Sequence, residues 1–202
     1  MEERGMAKVA QHICNRIQSV FQESSTPNLH HPTPLDALVA ELSAHATRGA
    51  RVVVHGVGRE GLMMRAFAMR LAHLGMQSHC VGDVTCPCVG EGDLLIASAG
   101  PGGFSTVNAI CTVAREAGAR VMVITAQPEG QAAGLADRVV VVPARTMADD
   151  EDDKFGGDEE VLMMGSLYEG ALFVLFEMVV FRVSKVLGQT PDAIRARHTN
   201  LE

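Results

Sequence analysis

Arg51-Val52-Val53-Val54-His55-Gly56-Val57-Gly58-Arg59-Glu60-Gly61 is the stretch whose reading decides the fold. The valine run has no polar alternation, so it reads as a strand covered on both faces, and the glycines end it in a tight turn. A helical pattern, Ala66-Phe67-Ala68-Met69-Arg70-Leu71, follows at once. The same order recurs in Leu94-Leu95-Ile96-Ala97-Ser98-Ala99, the loop Gly100-Pro101-Gly102-Gly103, and a helix from residue 104. In an open α/β sheet, ligands bind beyond the carboxyl ends of the strands, where a new helix points its free N–H groups at an anion. Two such loops point to a sugar phosphate or a nucleotide.

Outward from these loops, strands are expected over residues 51–55, 77–81, 93–98, 120–125 and 138–142. Helices are expected over 60–74 and 104–117, with a short one near 130–135. Two helices, 6–22 and 33–47, precede this core, separated by a Ser/Pro/His loop, and a long apolar helix, 163–187, follows it. Gly188 ends that helix and Thr190-Pro191-Asp192 opens a last short one. The division expected is an N-terminal helical arm over 1–34 and a domain over 35–202 that includes the C-terminal helices.

Composition narrows the function. The chain has 202 residues, 47% of them hydrophobic, and a formal charge of −7. That suits one buried α/β domain and argues against a nucleic-acid surface, which needs a basic footprint. The stretch 171–181 is interrupted by Glu177 and falls short of the roughly 20 residues of a membrane span. Five cysteines without a disulfide framework, and no secretory leader, lead us to expect a cytoplasmic protein. Cys86-Pro87-Cys88 has the wrong spacing for the usual zinc and redox motifs, and we expect neither metal nor cofactor. The acidic run Asp149–Asp153 reads as a solvated loop before it reads as a cation site.

Gly56-x-Gly58-x-x-Gly61 between strand and helix also fits the dinucleotide fingerprint, with Asp83 near the place of a ribose-binding acid. Against it stand the helices that precede the motif and the charge of Glu60 beside an expected pyrophosphate.

The whole chain resembles the SIS (sugar isomerase) domains, and among them the 6-phospho-3-hexuloisomerases. The resemblance is carried by Gly56–Leu62 with Ala66–Gly75, by Gly90-Glu91-Gly92-Asp93-Leu94-Leu95-Ile96-Ala97, and by Val142-Pro143-Ala144-Arg145-Thr146. Met164-Gly165-Ser166-Leu167-Tyr168-Glu169 and the closing Arg197-His198-Thr199-Asn200-Leu201-Glu202 complete it. It implies a three-layer α-β-α sandwich on a five-stranded parallel sheet, flavodoxin-like in order and flanked by N- and C-terminal helices. It also implies a homodimer or homotetramer whose C-terminal segment reaches a neighbour's site, and isomerisation of a ketohexose 6-phosphate through an enediolate. By the same resemblance Glu169 is the catalytic base and His198 its acid/base partner. Gly56, Gly58, Arg59, Glu60, Gly61, Gly100, Gly102, Gly103, Ser105, Thr106 and Arg145 are the substrate-binding candidates. His55 and His73, beside the first loop and its helix, read as structural.

The departures bear on the ligand. The family's first loop usually reads Gly-x-Gly-Arg-Ser-Gly, and Glu60 stands at its serine. Its second usually reads Ser-Gly-Ser-Gly-Glu-Thr, and here Ala99, Pro101 and Phe104 replace three hydroxyl side chains. Each hydrogen bond lost to a charged group costs about 1.5–3 kcal/mol. Two readings follow: an isomerase with a rearranged phosphate grip, or a non-catalytic sugar-phosphate-binding protein.

Overall fold

The computed structural model describes residues 5–23, 32–149 and 161–201. Asp150–Asp153 of the acidic run, His30 and His31 of the first linker, and Glu202 of the closing motif lie outside them.

Five strands form one parallel sheet: β1 (Arg51–His55), β2 (Gln77–Cys80), β3 (Leu94–Ser98), β4 (Arg120–Thr125) and β5 (Arg138–Val141), in the order β2-β1-β3-β4-β5. β3 lies at the centre and every residue of it is buried, which accounts for its unalternating sequence. Register places Val53 beside Leu95, and Leu95 beside Val121. These three join Ala97 and Val123 in packing under α4 (Ser105–Glu116). The intervening residues Val52, Val54, Leu94, Ile96, Met122 and Ile124 face the other layer. There lie α2 (Pro34–Arg48), α3 (Gly58–His73) and α5 (Ser166–Val186), with α1 (Met6–Glu23) laid against α5. A final turn of helix, α6 (Pro191–Arg195), follows.

Local chemistry sets the helix ends. Thr33 accepts a hydrogen bond from the Asp36 N–H at 3.1 Å, with Pro34 as the first helical residue, and Gly49 closes α2 in the left-handed region at φ 64. α5 begins at Ser166 and not at residue 163, because Met164 (φ 53) and Gly165 (φ 80) are both left-handed and break the helical path. α5 is the keel of the larger layer. It buries Leu167, Tyr168, Ala171, Leu172, Leu175, Phe176, Val179, Val180 and Val183, and Phe176 stacks on Phe67 of α3 with ring centroids 4.1 Å apart. Burying one large apolar side chain stabilises by about 1.5–3 kcal/mol, so this face ties α5 to the sheet. The helix expected near 130–135 is a single 3-10 turn, Ala133–Leu135.

The strand order reverses between β1 and β3. The chain leaves β1 into α3 on one face of the sheet and leaves β3 into α4 on the other. Between those exits opens the crevice in which such sheets hold ligands.

Candidate active site

Both glycine loops meet at this crevice. Gly56 and Gly61 touch through their backbones: a Cβ on Gly61 would lie 2.6 Å from the Gly56 carbonyl oxygen. That contact closes the first loop tightly enough to aim Glu60 inward from the first turn of α3. The Glu60 side chain then crosses to the second loop.

Glu60 is 6% exposed. Its Oε2 accepts a hydrogen bond from Ser98 Oγ at 2.6 Å and another from the Gly100 N–H at 3.0 Å. Ser98, with no exposed surface, also lies 3.3 Å from the hydroxyl of Tyr168, which is 1% exposed. Burial raises the Glu60 pKa above the usual carboxylate range, and the two donors pull it part of the way back. Burial, and then the charge of Glu60, push the Tyr168 phenol well above its ordinary value, so it is a neutral donor. Gly100 has no room for a side chain: a Cβ would meet Tyr168 Cε1 at 2.8 Å and Glu60 Oε1 at 3.0 Å.

Glu169 stands one residue beyond Tyr168, in the first turn of α5, with its side chain 16% exposed. Arg59 Nη2 lies 3.1 Å from its Oε2, yet no hydrogen bond is aligned on that buried oxygen. The guanidinium is held by two other groups, donating to Ser166 Oγ at 2.8 Å and to the Met164 carbonyl. Burial raises the Glu169 pKa, Arg59 lowers it, and the charge of Glu60 adds to the rise. A half-buried carboxylate with a raised pKa beside a ligand crevice has the character of a general base.

The second loop takes its shape from β4 and the segment beyond it. The Ala99 N–H donates to the Ile124 carbonyl at 2.9 Å, and the Gly100 carbonyl accepts from the Ala126 N–H at 3.0 Å and from Thr125 Oγ1 at 3.2 Å. The Gly102 carbonyl accepts from the Ala132 N–H at 3.0 Å. Gly102 is left-handed (φ 92), and a Cβ on Gly130 would sit 2.3 Å from its Cα. Beyond Gly103, Ser105 and Thr106 lie exposed in the first turn of α4, where Phe104 at the N-cap offers no capping hydrogen bond. Their N–H groups and hydroxyls are the donors left for an anion.

The remaining candidates scatter. Arg145 follows β5 and donates to the Asp149 carbonyl at 3.3 Å. Asp149, the described member of the acidic run, ties a turn together: Thr146 N–H and Oγ1 both donate to its Oδ2, at 2.7 and 3.0 Å. Among the described residues, no three His, Cys, Asp or Glu side chains are grouped to hold a metal ion. Asp83 pairs with Arg65 at 2.8 Å. His55 lines a cavity of about 170 Å³ beside Gly56, Gly58 and Gly61, and its buried Nε2 has no hydrogen-bond partner. His198 is far from Glu169 within the chain. It stacks on His73 at the end of α3, with centroids 5.2 Å apart, and Arg197 donates to the His73 carbonyl at 3.0 Å. The length of α3, about 22 Å at 1.5 Å per residue, separates that end from the loops. Ser98 and Tyr168 are the members of this candidate site that reading the sequence overlooked. The signals were there: Ser98 closes the strand before the second loop, and Tyr168, next to Glu169, is the chain's one tyrosine.

A parallel sheet of this order, with paired glycine loops and a half-buried glutamate at its switch point, defines a doubly wound domain that binds small ligands at its carboxyl edge. No protein-family model matches the chain. It is 38% identical over 164 residues to a 3-hexulose-6-phosphate isomerase of Mycobacterium gastri, covering 81% of this chain and 80% of the relative. It is 30% identical over 162 residues to a 3-hexulose-6-phosphate isomerase of Bacillus subtilis, covering 80% and 85%. A Methanococcus jannaschii protein, whose crystal structure was taken to infer 3-hexulose-6-phosphate isomerase function, superposes with a TM-score of 0.76 at 25% identity, covering 94% of this chain and 97% of that one. The chain belongs to the 3-hexulose-6-phosphate isomerase family of sugar-phosphate isomerase-like proteins, and it shares its fold with a sugar isomerase domain.

Proposed function

We propose that the protein interconverts ketohexose 6-phosphates by moving the carbonyl between adjacent carbons through an enediolate. The observation that carries this reading is Glu169: a half-buried carboxylate with a raised pKa at the switch-point crevice, with one buried oxygen free of hydrogen bonds. Ionised, it removes the proton from the carbon next to the carbonyl. The enediolate forms as a proton moves between the two oxygens, and Glu169 returns the carbon proton to the neighbouring position. Arg59, beside it, favours the ionised form that starts the cycle. The first turn of α4, with Gly103, Ser105 and Thr106, holds the phosphate end.

His198 enters this scheme from a second chain, since its own chain holds it at the far end of α3. The working unit is then a homodimer or homotetramer with shared sites. Its five free cysteines suit a reducing, cytoplasmic setting. Among the described residues no helix is long and apolar enough to cross a membrane. A second reading, a sugar-phosphate binder without turnover, is favoured by Ala99, Pro101 and Phe104, which supply no hydroxyl to the second loop.

The deciding experiment follows deuterium exchange from solvent at the carbons flanking the carbonyl, by NMR, for 3-hexulose 6-phosphate and fructose 6-phosphate. Exchange that is lost in Glu169→Gln is the expected result. Folded protein that exchanges neither sugar overturns the isomerase reading in favour of the binder.

A further inference from the structure

Glu60 is a buried ionisable group for which the enediolate scheme has no use, and its surroundings are those of an anion site. Ser98 Oγ and the Gly100 N–H converge on a single oxygen at 2.6 and 3.0 Å, at the carboxyl end of the central strand and just ahead of the N-terminus of α4. Hydroxyl and backbone donors beside a helix start are the groups that cradle a phosphate oxygen. Here the protein's own carboxylate already holds them. The serine usual at this position ends one bond beyond Cβ, whereas the glutamate extends two bonds further and bridges the two loops. Its other oxygen, Oε1, lies against Gly100 and carries no hydrogen bond, so it is an acceptor awaiting a donor.

We propose that Glu60 is a specificity-determining residue that fills the anion position of the second loop. A substrate therefore presents a hydrogen-bond donor, such as a sugar hydroxyl, to the corner formed by Ser98, Gly100 and Tyr168. Its phosphate is displaced toward Ser105 and Thr106. The closed backbone contacts around Gly100 and Gly102 keep the loop from opening to admit both anions. Like charges at this separation in a buried corner repel too strongly for a phosphate to share it with an ionised Glu60.

This rests on the sugar-phosphate reading of the site, but its test needs no turnover. Inorganic phosphate is titrated calorimetrically into the parent protein, Glu60→Ser and Glu60→Gln, at about pH 8 and constant ionic strength, with phosphate affinity as the readout. Both variants are expected to bind phosphate at least about tenfold more tightly than the parent, because the corner is freed in one and uncharged in the other. A gain of less than about tenfold overturns the proposal, as does the absence of phosphate binding in all three proteins. If Glu60→Ser does not fold, the near-isosteric Glu60→Gln decides alone by the same threshold. A protein that exchanges no sugar deuterium but shows the tenfold gain keeps the Glu60 proposal and loses only the isomerase.

Discussion

Replacing Ser98 by alanine tests whether Glu60 is a buried anion held by its neighbours. The hydroxyl lies 2.6 Å from Glu60 Oε2 with no solvent to replace it. A hydrogen bond to a charged acceptor contributes about 1.5–3 kcal/mol, and one to a neutral acceptor about 0.5–1.5. Ser98→Ala is therefore expected to cost about 2 kcal/mol in the parent but about 1 kcal/mol in a Glu60→Gln background, a coupling near 1 kcal/mol. The neighbouring Tyr168 hydroxyl, 3.3 Å from Ser98, loses the same contact in both backgrounds and cancels from the cycle. Urea denaturation at fixed protein concentration, near neutral pH, supplies the four free energies. The pH dependence gives a second check. Because Glu60 has a raised folded-state pKa, it favours the folded state most fully below the ordinary value of 4.5, and this contribution is lost as pH rises through the folded value. Glu60→Gln flattens that decline, and at a pH below the ordinary value the Ser98 coupling vanishes. Costs of Ser98→Ala equal within about 0.3 kcal/mol near neutral pH would refute the picture of a charged acceptor.

Arg59→Ala removes the attraction that lowers the Glu169 pKa, so the acid limb of the pH–rate profile is expected to move to higher pH; an unmoved limb denies Glu169 the role of base. Gly130→Ala drives a methyl to 2.3 Å from the Gly102 backbone and is expected to cost at least about 1–3 kcal/mol in urea denaturation, whereas Gly134→Ala, with open space around it, is near neutral. Mixed subunits carrying Glu169→Gln and His198→Ala, each inactive alone, are expected to regain activity when refolded together. No recovery argues against a site shared between chains.

The sheet was legible because its strands obey one rule throughout: Val52–Val54 and Leu94–Ala97 lack alternation, and only burial on both faces permits that. The start of α5 was misjudged by three residues, since apolar periodicity runs on through Met163 and Met164 and gives no sign that Met164 turns left-handed. Both glycine loops were found from local sequence, and Glu169 from the resemblance of Met164–Glu169 to the family motif. The Ser98–Glu60–Tyr168 cluster was not, because its members come from three elements 38 and 70 residues apart along the chain, and the hydrogen bonds that unite them exist only after folding. Likewise His198 carries the family's closing motif, but nothing local to it reveals that it packs on His73.

The Gly102–Gly130 contact and the carbonyl ties to Ala126 and Ala132 mean that the second loop's contour is cast by neighbouring backbone and owes little to its own side chains. Mutational drift could then strip hydroxyls from positions 99, 101 and 104 while the mould survived. Recognition and architecture are separable here, and a protein engineer could exploit this by randomising residues 101, 105 and 106 to rewrite the ligand while Phe104 keeps its place against the core.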